Sequence, residues 1–261
     1  MGVQGVFTKE LDIALLNRQA DIAVHSLKDV PTVLPKGLKI AAVLERASSD
    51  DMLVHKPNFN PAEKENAVIA TSSIRRRSQW LHRFPKHTLV NVRGNVQTRL
   101  RKFEDEGWDG IIFAKAGLER LGLLPQHFSV LDWMVSAPAQ GAIAVVCRED
   151  DKMVYEACQK INHKDSEIVV SVERDFLYHL DGGCSVPISA KATLDDGQIL
   201  FHGSVHSLDG SREMKVEVKA ARENWEAIGG EAARQMKESE KGRLILDDFR
   251  KLNRGNSVNC E

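Results

Sequence analysis

The sequence predicts a mixed α/β protein: two α/β lobes joined by a double chain crossing, then a small α+β domain with an antiparallel sheet. Three observations predict it. Between residues 67 and 121, short apolar strands alternate with helical stretches, a β-α-β-α-β order that argues for a mostly parallel sheet with helices on both faces. After a linker-like stretch at Ala137–Gly141, the apolar segment Ala142 to Val146 has no strand of its own downstream to join, so the chain is expected to return to the first lobe. Beyond about residue 163, one helix gives way to three alternating segments separated by Asp-Gly turns.

In chain order, Thr8 is placed to cap a first helix with Phe7, Leu11, Ala14 and Leu15 on one face. A strand follows at 21–26, then the turn His25-Ser26-Leu27-Lys28-Asp29-Val30-Pro31, then a strand at 37–44 and a linker at 45–51. Leu53-Val54 and Ala67 to Ala70 read as short strands around a polar insertion. Thr71-Ser72-Ser73 opens a helix whose expected inner face is Ile74, Ser78, Leu81 and Phe84, stopped by Pro85. A strand at 89–92 leads through Arg93-Gly94-Asn95 into a helix with Val96, Leu100 and Phe103 inward. Gly110 to Ala114 is a buried strand, followed by a helical turn closed by Gly122. In the last part, Val169, Val172, Phe176 and Leu180 form a helical stripe. Strands are expected near 187–194, 198–207 and 213–219, and a closing helix carries Trp225, Ile228, Ala232 and Met236.

At 261 residues, 42% hydrophobic and 28% charged, the chain has the composition of an ordinary globular protein with room for two or three domains. No window approaches ~18 uninterrupted apolar residues, so no transmembrane helix is predicted. No basic segment followed by an apolar core opens the chain, so no secretory signal is visible. The four cysteines include no CxxC pair, and a reduced, cytoplasmic protein without a metal site is expected.

Net charge is −1, but its distribution is uneven. From Thr71 to Lys102 there is no acid, while Arg75, Arg76, Arg77, Arg83, Lys86, Arg93, Arg99, Arg101 and Lys102 all fall inside. Such a concentrated positive field points to an anionic ligand. Ser72 and Ser73 sit at a helix start, where free N–H groups favour anions. Arg75 and Arg76 lie in its first turn, and Arg93 and Arg99 flank the next one. By the strand-end rule for α/β sheets, all four are expected to face one cleft. The same rule brings His25, Ser26, Lys28 and Asp29 to a strand end as a candidate reaction centre. The competing readings are a solvated loop with an incidental Lys-Asp pair and, for the arginines, a solvated basic face. Nucleic-acid binding is a further rival, since Trp80 and Phe84 are interleaved with the charges, but no RNP, KH or helix-turn-helix pattern is present. Cys184, on a loop after Gly182-Gly183, is a candidate nucleophile or attachment point. Cys147 and Cys158 read as buried hydrophobes, and Cys260 lies in a tail.

Taken together, these motifs resemble the porphobilinogen deaminase (hydroxymethylbilane synthase) family. The residues carrying the resemblance are Phe7 to Leu11, Asp21 to Pro31, Thr71 to Arg76, Arg93 to Val96 with Thr98-Arg99, Ala116 to Leu118 with Arg120 to Gly122, Pro138 to Ala142 and Leu180 to Pro187, in family order. The resemblance implies two type II periplasmic-binding-protein-like lobes plus a third domain. The expected boundaries are 1–46 with 141–162 for a catalytic lobe, 47–140 for an Arg-rich lobe and 163–261 for cofactor attachment. It implies a dipyrromethane cofactor thioether-linked to Cys184, on which four porphobilinogens are joined head to tail with loss of ammonia before water releases hydroxymethylbilane. Asp29 would stabilise the pyrrole cation left by ammonia loss, with Lys28 beside it. Thr71, Ser72, Ser73, Arg75, Arg76, Arg93 and Gly94 would hold cofactor carboxylates; Phe7, Ser26, Arg75, Arg99, Arg120 and Gln140 would face substrate. A monomer with no nucleic-acid or membrane partner is expected.

Two departures stand out. The family has about fifty residues before the Phe7 segment, including a strand central to the first lobe. A chain starting at Met1 is therefore expected to have an unpaired sheet edge, bare apolar surface and weak stability or activity, against which a full-rate ammonia-release assay would count. Ala70 and Ala139 stand where glycine is common, with little effect expected. The alternative from another class is a two-lobed anion-binding module without catalysis.

Overall fold

The computed structural model describes the backbone of residues 6–180 and 186–257. Its elements are α1 (Val6–Leu16), β1 (Ile22–Ser26), β2 (Leu38–Val43), β3 (Asp51–His55), β4 (Val68–Ala70), α2 (Ile74–Arg83), β5 (Thr88–Val90), α3 (Val96–Asp105), β6 (Gly110–Ala114), α4 (Lys115–Arg120), β7 (Phe128–Val130), β8 (Ile143–Arg148), α5 (Lys152–Gln159), α6 (Lys164–His179), β9 (Ile188–Asp195), β10 (Gln198–His206), β11 (Glu213–Ala221), α7 (Trp225–Glu238) and α8 (Glu240–Ser257).

They form three sheets. In the first, β8 lies between β1 and β2 and is antiparallel to both, so the chain does return to the first unit, as the unpartnered apolar run at 142–146 required. β1 is an edge strand, and its outward residues Ile22 and Val24 are 46% and 55% exposed. The second sheet has the order β5-β4-β6-β3-β7. Only β5, β4 and β6 are parallel; β3 is antiparallel to both β6 and β7, so the sheet is mixed rather than mostly parallel. The difference arises because β3 is not part of the βα alternation: it enters straight from the crossing and pairs back on the end of that series. The third sheet is the antiparallel β11-β10-β9 meander, with α6, α7 and α8 packed on it.

Several local expectations are corrected. Thr8 lies inside α1 rather than capping it, and Leu11 is exposed while Leu15 is buried. The inner face of α2 is set by Trp80, wholly buried against Phe84, His87 and Trp133, whereas Ile74 is exposed. Of the stripe expected from periodicity, Ser78 is buried and Leu81 and Phe84 pack on the core, but Ile74 does not; periodicity counts arginines as outward, whereas Arg75 and Arg76 are buried. Strand β7 and helix α8 are not predicted from the sequence, and of α5 only a helical stretch at Cys158 is.

The two crossings, at 44–50 and 137–142, run against each other. Ala47 N–H donates to Gly141 O and Gln140 Nε2 to Ser49 O at 2.7 Å. Gly141 has φ +86°, and a Cβ there would lie 2.5 Å from Ser48 O, so only glycine permits this approach. Glu173 of α6, fully buried, accepts from both Arg46 guanidinium ends and from the N–H groups of Ala139 and Ala192, tying both crossings to the third sheet.

Candidate active site

At the end of β1, Leu27–Asp29 form one 3-10 turn, and Val30 N–H donates back to Leu27 O at 3.2 Å. A three-residue repeat puts Leu27 and Val30 on the same side. Both are buried in the core shared with α6 and the third sheet. Lys28 and Asp29 are left on the outer side, Lys28 half-buried and Asp29 exposed. Ser26 is exposed at the end of β1. His25 lies on the opposite face of the strand, where it opposes the upward push that burial gives the Asp12 carboxyl of α1. It therefore belongs to the packing of α1.

The start of α2 supplies the second part. Ser73 caps the helix by accepting from Arg76 N–H, and Thr71 Oγ1 accepts from Ser73 N–H. Ser72 Oγ donates to Val92 O at 2.7 Å and accepts from Val92 N–H at 2.9 Å. These three hydroxyls, expected to hold ligand carboxylates, spend their hydrogen bonds on shaping the strand-to-helix turn.

Arg75 and Arg76 do not stand open in a cleft: they are 6% and 7% exposed and converge on Asp51, which is wholly buried at the start of β3. Arg75 Nη2 forms an ion pair with Asp51 Oδ2 at 2.7 Å; Arg76 reaches Oδ1 through Nη2 at 2.8 Å and Nε at 3.0 Å. Gln140 Nε2 donates to the same oxygen at 2.9 Å. Arg75 also donates to Val135 O and Arg76 to Ile112 O. Burial pushes the Asp51 carboxyl up, but the two guanidiniums and Gln140 outweigh it and hold it below the usual carboxylate range.

The two parts meet electrostatically. Lys28 is pushed down to about 8, chiefly by burial and then by Arg76 and Arg75, against the pull of Asp29 and Asp51. Burial and Arg76 likewise lower Arg99. Four cations, Lys28, Arg75, Arg76 and Arg99, thus share one region with two carboxylates, Asp29 and Asp51, and the region carries surplus positive charge. Arg99 Nε donates to Gly94 O at 2.6 Å, across a turn in which Gly94 has φ +122° and a Cβ would lie 2.7 Å from the Thr98 side chain. Arg93 is exposed beside it. Arg120, at the end of α4, donates to Gly141 O at 2.7 Å and so braces the crossing. The Phe7 side chain and residues 181–185, including Cys184, lie outside the described residues.

Asp51 and Arg46 are the members that sequence reasoning missed, both inside the stretch taken as a linker. The available signal was an acid opening the apolar run Met52-Leu53-Val54, since a carboxylate drawn into a core requires a cationic partner.

What this charge surplus suits is a polyanion. A dipyrromethane carries an acetate and a propionate on each ring, and the unbalanced cations around Lys28 fit such a group. Comparison with known proteins agrees. Residues 1–156 match the family model described as "Porphobilinogen deaminase, dipyromethane cofactor binding domain", and residues 167–238 match that of the porphobilinogen deaminase C-terminal domain. A porphobilinogen deaminase of Syntrophomonas wolfei is 42% identical over 259 residues, covering 96% of this chain and 83% of the relative. One from a Nostoc species is 38% identical over 261 residues, covering 98% and 81%. Among solved structures, an ABC transporter protein from Parabacteroides distasonis overlaps with TM-score 0.41 and 15% identity over 67% of this chain and 62% of its own. A likeness of that size leaves the fold to be read from the three sheets themselves. Two matched family models and relatives near 40% identity along nearly the whole length establish that this chain belongs to the porphobilinogen deaminase family.

Proposed function

We infer that the chain is a transferase that joins four porphobilinogens head to tail, with release of ammonia, to give hydroxymethylbilane. The observation that carries this reading is the cationic surplus around Lys28 with one exposed carboxylate, Asp29, adjoining it. When bound, dipyrromethane supplies the pyrrole end to which the first substrate is joined. Lys28, Arg75, Arg76 and Arg99 hold its carboxylates and those of the substrate. Asp51 fixes the two α2 guanidiniums so that their remaining N–H groups keep one orientation. Arg93 and Gly94 form the rim of this anion site, and Cys184 is the attachment point. Ser26, Gln140, Arg120 and Phe7 complete the substrate side, Gln140 through its hold on Asp51 and Arg120 through the crossing.

Loss of ammonia from porphobilinogen leaves a cation whose charge rests on the pyrrole nitrogen. Asp29 is the carboxylate that stabilises it, in a site where the neighbouring charges are fixed before reaction. Its neighbour Lys28, held at about 8, is mostly protonated at neutral pH and binds a substrate carboxylate.

The division into a catalytic lobe (1–46 and 141–162), an Arg-rich lobe (47–140) and an attachment domain (163–261) is supported by one sheet in each. Nucleic-acid binding is disfavoured: Trp80, its required stacking residue, is buried in the core. A cytoplasmic monomer is proposed, in keeping with the free buried thiols of Cys147 and Cys158; among the described residues, no helix is long and apolar enough to cross a membrane.

The test is Asp29→Asn. Turnover is expected to fall at least a hundredfold, on the order of the loss of a single electrostatic stabiliser, while intact mass still shows a dipyrromethane adduct of a few hundred daltons on Cys184. Unchanged turnover, or a bare Cys184 in the parent protein, would overturn the assignment.

A further inference from the structure

We infer that Arg174 of α6 is a positioning residue that fixes the loop bearing Lys28 and Asp29; the inference deepens, and rests on, the site assignment above. Arg174 sits in the helix that leads toward the attachment loop, not in either lobe of the cleft. Its Nη1 donates to Val30 O at 2.9 Å and to Leu27 O at 3.4 Å, and its Nη2 donates to Pro31 O at 2.6 Å. All three acceptors belong to the 3-10 turn and its exit; Leu27 O already accepts the Val30 N–H, so the guanidinium is a second donor there. Among the described residues no carboxylate pairs with Arg174, so the guanidinium is committed to the backbone of this loop. Burial lowers it to about 10, and it stays charged at neutral pH.

The loop has little else to hold it on this side. Leu27 and Val30 anchor its start in the core, but past Pro31 the chain runs along a cavity of about 550 Å³ lined by Thr32, Val33, Arg174, Tyr178 and Trp225, among others. Val33 is exposed. A planar fork spanning three carbonyls sets both the position and the tilt of the turn. A lysine at 174 would satisfy one of them at a time. Because Lys28 and Asp29 project from the other side of that turn, loosening it moves the carboxylate relative to the bound pyrrole without removing any substrate contact.

The experiment compares Arg174→Gln and Arg174→Lys with the parent in two measurements. Steady-state kinetics of ammonia release are expected to show kcat falling roughly tenfold or more with KM nearly unchanged, the mark of lost alignment rather than lost binding. The pH dependence of Lys28 acylation, read by peptide mass, is expected to shift its midpoint from about 8 toward the usual lysine range as the side chain becomes hydrated. The charges that act on Lys28 come from Arg75 and Arg76 of α2, Asp51 of β3 and Asp29 of its own loop; Arg174 is not among them, so this shift reports movement and not a missing charge. Arg174→Lys should recover part of both effects. If Arg174→Gln is not folded at the assay temperature, Arg174→Lys decides the matter on the same two readouts.

Parental kcat and parental Lys28 midpoint in a folded variant would overturn the inference. So would a lower kcat with the Lys28 midpoint unmoved, since the substitution would then act elsewhere. Full turnover of Asp29→Asn alongside a shifted Lys28 midpoint in Arg174→Gln would instead sink the catalytic assignment and leave the positioning role standing.

Discussion

The turn at Leu27–Pro31 is fastened through apolar side chains and carbonyls, whereas the first turn of α2 is fastened through the guanidiniums it carries. In the first, Leu27 and Val30 go into the core, so Lys28 and Asp29 are free to face a ligand. In the second, Arg75 and Arg76 are themselves buried, and Asp51 neutralises only one of them. The contrast separates two ways of presenting charge. Where anchoring and functional residues alternate, chemistry and stability can be changed independently. Where one residue does both, they cannot.

Asp51→Asn should break the second arrangement and gives the largest expected effect. It leaves two buried guanidiniums without a counter-charge, and removing one partner of a buried pair typically costs about 3–5 kcal/mol. Urea unfolding followed by circular dichroism measures it; a loss below about 1 kcal/mol would mean that water already compensates the arginines. Lys28→Met should do the reverse in the first arrangement. Lys28 is held at about 8 in the folded protein against 10.5 for an ordinary lysine, so the unfolded chain binds its proton more readily. Protonated Lys28 therefore destabilises the native state below pH 8, and the penalty fades as pH rises toward 10.5. The methionine variant is expected to be roughly 1–3 kcal/mol more stable than the parent at pH 7. That gain should vanish near pH 10.5, and turnover should be lost at every pH. Equal urea midpoints at pH 7 would show that Lys28 is better solvated than its surroundings imply.

Much of this was legible in the sequence, for identifiable reasons. The lone strand at 142–146 revealed the chain's return because an apolar run needs a sheet to join, and β8 supplies the centre of one. The HSLKDVP turn was legible because an apolar strand gives way there to polar residues and Pro31 stops the turn; that Leu27 and Val30 anchor it shows only in the structure. The α2 packing was not, since a pattern of apolar residues cannot register arginines that are buried by a distant acid. Asp51 and Arg75 are 24 positions apart and meet only once β3 and β4 share a sheet. The clasp by Arg174 is further still from any local signal, because it joins side chain to carbonyl and carbonyls carry no sequence.

Ser72 is where the contrast between the two turns can be sharpened with the smallest perturbation. If its hydroxyl holds ligand carboxylates, as its place before a helix suggests, Ser72→Ala should raise KM and leave folding alone. The structure argues otherwise: the hydroxyl bonds both the N–H and the carbonyl of Val92, and so pins the segment leading to Arg93. Ser72 is exposed, so water can replace part of what is lost, and the expected destabilisation is about 1 kcal/mol. KM should then rise only slightly, through looser placement of Arg93, and the rise should disappear when Arg93 is already replaced. A double-mutant cycle with Arg93→Gln measures this. Coupling near the full effect of Ser72→Ala would show that the serine acts through the arginine. Additive effects on KM, with stability unmoved, would return Ser72 to the ligand and make the first turn of α2 resemble the loop at Lys28 after all.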